Sequence, residues 1–446
     1  MSSRPSALPL PLTIRPVRGE AMLAGGAAVM AASAAVLAGP KALAIPIVVA
    51  MVVFFLREPL ALLALYLEIG LFKDEAVIKA LPVDATLALG VLVAAVCGMR
   101  LVTGRVRGVP FGYALTIAVV AISLVVSLNW STGGSYGHNK VTTFLTVTML
   151  AIGAPFFFFE SWDDLRRFFT WTVVLAFPVG VLALTHPAHD TGRLAGDNTI
   201  GASHLLCTAA LILLLGALGG SGWRVPATAG AASLIAIAAA VGSRGPILSL
   251  AIALLVTVTA WLLRAPRKVA PVLAVAAVGL AVVPFVSLPA TSSERLSSAA
   301  RDPVAAFRHD DRYGLAQEAI KLIDEHPIRG NGAGAFSTID PLTKWPHNVF
   351  LELWAELGLV AVMTVAAAIA IALVGLFRIA WRLPEHRPEQ VLAYVLLAVF
   401  SFNVLTVQVT GDINQNRTFW GMLAIAWLVV ADSLTIGRDD GRSPAQ

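Results

Sequence analysis

Apolar runs, most of them close to the width of a bilayer, dominate the chain. About 20 consecutive apolar residues suffice to cross a membrane as a helix. Such runs predict helices near 20–38, 42–56, 59–72, 84–103, 110–128, 141–159, 168–185, 202–220, 226–241, 246–263, 269–287, 348–377, 391–410 and 417–435. Two of them, 42–56 and 59–72, are short for a span and read equally as a re-entrant pair, so about 12 to 14 spans are expected. The predicted fold class is all-α: a polytopic transmembrane helical bundle, with residues 1–446 forming a single integral-membrane domain. Residues 288–346 form a long loop between two of the spans. Inside it Leu315, Ala319, Leu322 and Ile323 recur at helical spacing, which predicts a short helix from Tyr313 to Asp324, lying over the bundle mouth and stopped by Pro327. The Gly-rich turn Gly330-Asn-Gly332-Ala-Gly334 follows.

Composition agrees with this pattern. Hydrophobic residues make up 57% of the 446 and charged residues only 13%, with a mean hydropathy of +0.80. Soluble proteins carry about 25% charged residues, so a disordered chain is excluded and an ordinary soluble enzyme is disfavoured. The positions of the charges set an orientation. Arg15, Arg18, Arg57, Arg100, Arg105, Arg107, Arg166, Arg167, Arg224, Arg264, Arg267, Lys268, Arg378, Arg382, Arg387, Arg438 and Arg442 all fall on one side if the helices alternate. The positive-inside rule makes that side cytoplasmic, with both termini on it, and puts loop 288–346 on the opposite side of the membrane. The same rule accounts for the net charge of +5 without a nucleic-acid partner. The apolar run after Arg18 continues into further spans and is not expected to be a cleaved secretory signal. Cys97 and Cys207 lie in apolar runs, lack metal-ligand spacing and form no pattern.

The opposite side holds the candidate chemistry. Arg193, Arg244, Arg312, His347, Asp412 and Arg417 come from different loops at one depth. A charge at a membrane junction is costly unless it is paired or functional. Arginine suits phosphate, because its planar guanidinium offers a fork of donors. Outside the cytoplasm, where nucleotides are absent, a lipid diphosphate headgroup is a fitting source of that phosphate. His347 opens a helix in Pro346-His347-Asn348, titrates near neutrality and can take a proton from an attacking hydroxyl. Glu352 and Glu356 share one face of that helix, and one of them is expected to pair with an arginine inside the bundle. Each of these residues also has a bland reading: Arg193 as an exposed loop residue, Arg244 snorkelling to lipid phosphates, His347 as a helix cap. The glycine turn lacks the Gly-Lys-Ser/Thr of a nucleotide loop.

Three pieces together resemble the bacterial O-antigen ligase/polymerase superfamily. They are Arg193-Leu-Ala-Gly196, the junction Ser243-Arg244-Gly245-Pro246, and the long loop ending in His326 to Phe336 and then Pro346-His347-Asn348 with Glu356-Leu-Gly358. The resemblance covers roughly residues 40–435, and it lies closest to the ligase branch. It implies an inner-membrane glycosyltransferase that takes a glycan from undecaprenyl diphosphate at the periplasmic face, without nucleotide sugar, metal or cofactor. In that branch two arginines engage the diphosphate and a histidine acts on the acceptor hydroxyl. Arg193, Arg244 and His347 match those positions. Arg312, Asp412 and Arg417 are further candidates for contact with glycan or phosphate. The ligase pattern after the histidine fits His347-Asn348 and Gly358, but its last position is Ala361 where Gly, Thr or Tyr is expected. The acceptor is lipid A core for a ligase and a second lipid-linked glycan for a polymerase. A protein acceptor is a third form, and a transporter of lipid-linked substrates is the alternative from another class.

Overall fold

The computed structural model describes residues 44–72, 84–185, 199–219, 224–241, 243–264, 311–339, 343–385 and 387–439. All regular elements among them are helical. In chain order they are α1 (Ala44–Arg57), α2 (Pro59–Glu68, continued by a 3₁₀ turn Ile69–Phe72), α3 (Ala85–Val102), α4 (Phe111–Ser127), α5 (Gly134–Phe158), α6 (Trp162–Thr185), α7 (Thr199–Gly219), α8 (Arg224–Val241), α9 (Arg244–Arg264), α10 (Asp311–Glu325), α11 (Val349–Leu357), α12 (Leu359–Arg382), α13 (Pro388–Thr406) and α14 (Arg417–Asp439). Eight of them are long and apolar enough to cross a membrane, namely α3, α5 to α9, α12 and α13, as expected for a multi-pass all-α bundle. The predicted spans 20–38 and 269–287 lie outside the described residues, as do the first 23 residues of the long loop.

One open reading is narrowed and two boundaries differ from the sequence expectation, each for a physical reason. The short runs 42–56 and 59–72 are not two independent spans. They form one unit bent by 110° at Glu58, where Pro59 starts a new helix. The helix predicted over 141–159 begins at Gly134, so the polar turn containing His138 and Lys140 is helical. The helix predicted over 348–377 is two helices. They are broken at Gly358, whose φ of 83° and ψ of −178° only glycine adopts readily. A Cβ at Gly358 would stand 2.0 Å from the carbonyl oxygen of Ile328.

α7 and α13 are the most enclosed spans, with 67% of each apolar window buried, whereas α3 is only 22% buried and lies at the rim. α7 packs against α6, α8, α9 and α13, and α13 also meets α9, α12 and α14. Trp261 of α9 stacks on Tyr394 of α13 with ring centres 4.6 Å apart. α5 is not a uniform helix. Phe144–Thr148 is π-helical, and the Val147 carbonyl in that stretch accepts a hydrogen bond from the Tyr66 hydroxyl of α2 at 2.7 Å.

The bundle has two chemically distinct ends. One gathers arginines from several helices. Arg100 Nη1 meets Glu160 Oε1 at 2.8 Å, Arg107 pairs with Asp432, and Arg264 donates to the carbonyls of Ala380 and Leu383 at 3.1 and 2.8 Å. This is the clustering that the charge pattern predicts for these residues. The other end holds the 3₁₀ turn after α2, the start of α5, the C-terminal part of the long loop, α11 and the turn between α13 and α14.

Candidate functional site

The site is built on the start of α11. Asn348 is its N-cap, and the side-chain Oδ1 accepts from the amides of Phe350 and Leu351 at 3.0 and 3.1 Å. His347, just before the cap, has φ 54° and is the one non-glycine residue with positive φ among the described residues. Such a conformation is uncommon outside glycine and persists where surrounding contacts impose it. The Trp345 ring stands edge-on to the His347 ring, centres 5.8 Å apart. The next residue, Val349, donates its amide to the Val407 carbonyl at 3.0 Å, which ties the histidine to the turn after α13.

The same turn receives the second motif. Arg244 is the first residue of α9, and the Cβ position of Gly245 lies 2.7 Å from Cγ2 of Val409. No larger residue fits beside Val409 without a shift. The Ser243–Pro246 junction and the His347–Val349 segment are more than a hundred positions apart in sequence. They nonetheless dock on one three-residue stretch, Val407–Val409.

The remaining candidates are placed as follows. Arg193 lies outside the described residues. Arg312 sits in the first turn of α10, partly exposed, and α10 packs on α11 through Ala319, Leu322 and Ile323 against Ala355 and Phe336. Those are the helical-spacing residues that the long loop predicts, within a helix three residues longer than expected. Asp412 is buried. Its Oδ1 accepts from the amides of Asn414 and Gln415 at 3.0 and 2.7 Å, so the carboxylate shapes the turn before α14. Arg417 is buried at the start of α14 and faces α2. Its guanidinium carbon is 5.5 Å from the centre of the Tyr66 ring. Its neighbour Thr418 donates to Glu68 Oε1 at 3.1 Å.

Beneath these residues lies a charged cluster that the sequence reading missed in part. Lys140 Nζ of α5 stands 2.5 Å from Glu352 Oε1 and 2.6 Å from Glu356 Oε2, with all three side chains at most 2% exposed. The partner of the two glutamates is therefore this lysine and not an arginine. Glu352 Oε2 also accepts from the Ile413 amide at 3.0 Å, and Glu356 Oε2 from the Gly334 amide at 2.8 Å. Two carboxylates thus share one ammonium in a buried site. Burial pushes the Glu352 carboxyl up to about 8, with Asp412 and Glu356 adding to the rise and Lys140 opposing it. Lys140 was legible only as a polar residue just before an apolar run. The i, i+4 glutamates were the visible half of the signal.

The glycine turn is a plug between α4, α5 and α11. Its successive amides are all engaged: Asn331 to the Ala355 carbonyl at 2.9 Å, Gly332 to that of Glu356 at 2.8 Å, Ala333 to Ser127 Oγ at 3.0 Å, and Gly334 to the Glu356 carboxylate. A Cβ on Gly332 would meet Ser131 Cα at 2.4 Å. The first two satisfy C-terminal carbonyls of α11, and all four are spent on holding the loop, which explains a phosphate-loop look without that chemistry.

Residues 229–366 match the family model described as O-antigen ligase. The chain resembles the O-antigen ligase superfamily. The matched segment runs from inside α8 to inside α12 and contains Arg244, the described end of the long loop, His347 and both glutamates. It supports a glycan-transferring function of the ligase or polymerase kind, acting on lipid-linked glycan and an acceptor. Lys140, Asp412 and Arg417 lie beyond it. No curated protein matches the chain significantly.

Proposed function

We propose that the protein transfers a glycan from undecaprenyl diphosphate to an acceptor hydroxyl at the periplasmic face of the inner membrane. Its most fitting activity is that of an O-antigen ligase acting on lipid A core. The observation that carries this reading is the docking of the Arg244 junction and the His347 cap on Val407–Val409. It brings a phosphate-binding residue type and a proton acceptor to one end of the bundle.

His347 takes the proton of the acceptor hydroxyl, whose oxygen attacks the anomeric carbon. The anomeric C–O bond to the diphosphate breaks, and its electron pair leaves with the lipid diphosphate. Arg193 and Arg244 hold the diphosphate and stabilise the charge that develops on it. Attack from the opposite face inverts the anomeric centre. No step requires a metal. Arg312, Asp412 and Arg417 contribute to glycan or phosphate contact, Asp412 by way of the turn that it shapes. The left-handed backbone of His347 supports a catalytic role, since strain of this kind concentrates where geometry matters to function.

One sequence observation favours a second reading. Ala361, fully buried in α12, stands where the ligase pattern has Gly, Thr or Tyr, which leaves a polymerase as the alternative. An assay on purified protein with EDTA, an undecaprenyl-diphosphate-linked glycan and either acceptor distinguishes the two. Product on lipid A core establishes the ligase, and a ladder of lengthened lipid-linked glycan establishes the polymerase. The expected loss for His347→Ala is about 10²–10⁴-fold, the usual weight of general-base help. Loss of Arg244 should cost at least as much. Wild-type turnover by a folded, inserted His347→Ala or Arg244→Ala protein would falsify the mechanism. Absence of product with either acceptor points to a protein acceptor or to transport.

A further inference from the structure

A cleft of about 1050 Å³ opens at the arginine-rich end, away from the His347 site. Its long walls are apolar: Ile371, Val374 and Gly375 from α12 face Ile425 and Val429 from α14. Phe159 and Trp162, at the junction of α5 and α6, close a third side. At the mouth stand Arg378 and Arg382, one helical turn apart on α12 and both exposed. Among the described residues neither has an acidic partner within ion-pairing distance, whereas Arg107 on the far side of the mouth is held by Asp432. From Ile371 to Arg382 the helix rises about 17 Å, close to the ~15 Å half-thickness of a bilayer's hydrocarbon core. The cleft is therefore about one leaflet deep and apolar along its length; at its interface Glu160 and Asp432 are paired with Arg100 and Arg107, which leaves Arg378 and Arg382 as the surplus charge.

We propose that this cleft binds an anionic diacyl phospholipid of the adjacent leaflet. One acyl chain lies in the groove along the α12–α14 seam, over the close approach of Gly375 to Val430, and the phosphate sits on the guanidinium forks of Arg378 and Arg382. Charge complementarity selects the headgroup, because an arginine fork matches two phosphate oxygens and a net-anionic lipid adds long-range attraction. Depth selects the tail, because a carrier of many isoprene units is longer than the cleft. Trp381, exposed on the neighbouring face of α12, marks the interfacial level at which the headgroup lies. This site is independent of the transfer chemistry at the other end.

The test uses delipidated full-length protein in detergent, titrated with phosphatidylglycerol, phosphatidylcholine or a polyprenyl phosphate and read by native mass spectrometry. One phosphatidylglycerol is expected to be retained in preference to phosphatidylcholine. The Arg378→Ala/Arg382→Ala protein should bind it about tenfold to thirtyfold more weakly, as expected for two interfacial arginines. Val374→Trp, which fills the cleft and keeps both arginines, should also lose the lipid. Both variants change exposed positions, and their melting temperatures and transfer activity should stay at the wild-type level. Equal retention of the two phospholipids overturns the proposal. So does unchanged binding in either variant, or a preference for the polyprenyl phosphate.

Discussion

At the arginine-rich end, Arg100 and Arg107 meet Glu160 and Asp432 with side chains between 22% and 55% exposed. At the other end, Lys140 meets Glu352 and Glu356 with side chains at 1–2%. The residue chemistry is alike, yet the consequences differ. An exposed pair gains little Coulomb energy, pays side-chain entropy and adjusts to loss of a partner by hydrating the survivor. A buried pair has no water to fall back on, so removing one member strands the other. The first set of charges serves orientation and solvation. The second holds three separate segments in place: the start of α5, the turn before α14 and the glycine plug.

The sharpest way to break this comparison is Lys140→Met. It leaves two buried carboxylates without their cation and should destabilise the protein by about 3–5 kcal/mol. Thermal unfolding in detergent measures this, and a triple change adding Glu352→Gln and Glu356→Gln should restore most of the loss. A Lys140→Met shift no larger than that of Arg100→Ala would end the distinction between the two ends. Gly358→Ala comes next. Its φ of 83° and the 2.0 Å approach to the Ile328 carbonyl predict a cost of at least about 1–3 kcal/mol, read from the same unfolding curves.

The third prediction concerns pH. Glu352 has its folded pKa raised to about 8 from an ordinary 4.5, so the folded state binds more protons than the unfolded state between those values. Its stabilising contribution is fully present below 4.5 and is lost as pH rises towards 8, with a slope of at most about 1.4 kcal/mol per pH unit. Lys140, Glu356, Asp412 and Tyr136 all act on the cluster, so the informative comparison is between wild type and Glu352→Gln. The wild-type melting temperature should drop more steeply from pH 6 to pH 8 than that of the variant, and parallel profiles would refute the assignment. Smallest is Arg100→Ala, at under about 1 kcal/mol and further weakened by added salt.

Much of the architecture was legible because bilayer-length apolar runs and one-sided arginines are strong signals. The short helix over the long loop was legible too, since Leu315, Ala319, Leu322 and Ile323 mark one buried face. What escaped was structure that apolar runs do not encode. Lys140 looked like loop because nothing local shows that its charge will be met by residues more than two hundred positions away. The break at Gly358 was invisible inside an apolar stretch, because it depends on the approach of Ile328 and not on composition. Within the candidate site, the residue types of Arg244 and His347 were readable from motif and side. Their convergence on Val407–Val409 was not, since a shared neighbour is a tertiary fact. Nor were the inward contacts of Asp412 with the turn before α14 and of Arg417 with the Tyr66 ring readable from residue type.

The widened stretch Phe144–Thr148 acts as an angular offset within α5. Each residue advances an α-helix by about 100°, so winding one extra residue into a turn shifts the phase of everything before it by that amount. Below the stretch, Met149–Gly153 packs on α14, and above it Lys140 faces α11. A regular helix through 144–148 could align one of these surfaces but not both. Deleting a single residue there should swing the ammonium about a quarter-turn away from its carboxylates while leaving the lower half seated. A chain one residue shorter in this stretch would have to carry its lysine at a neighbouring position to recover the same phase.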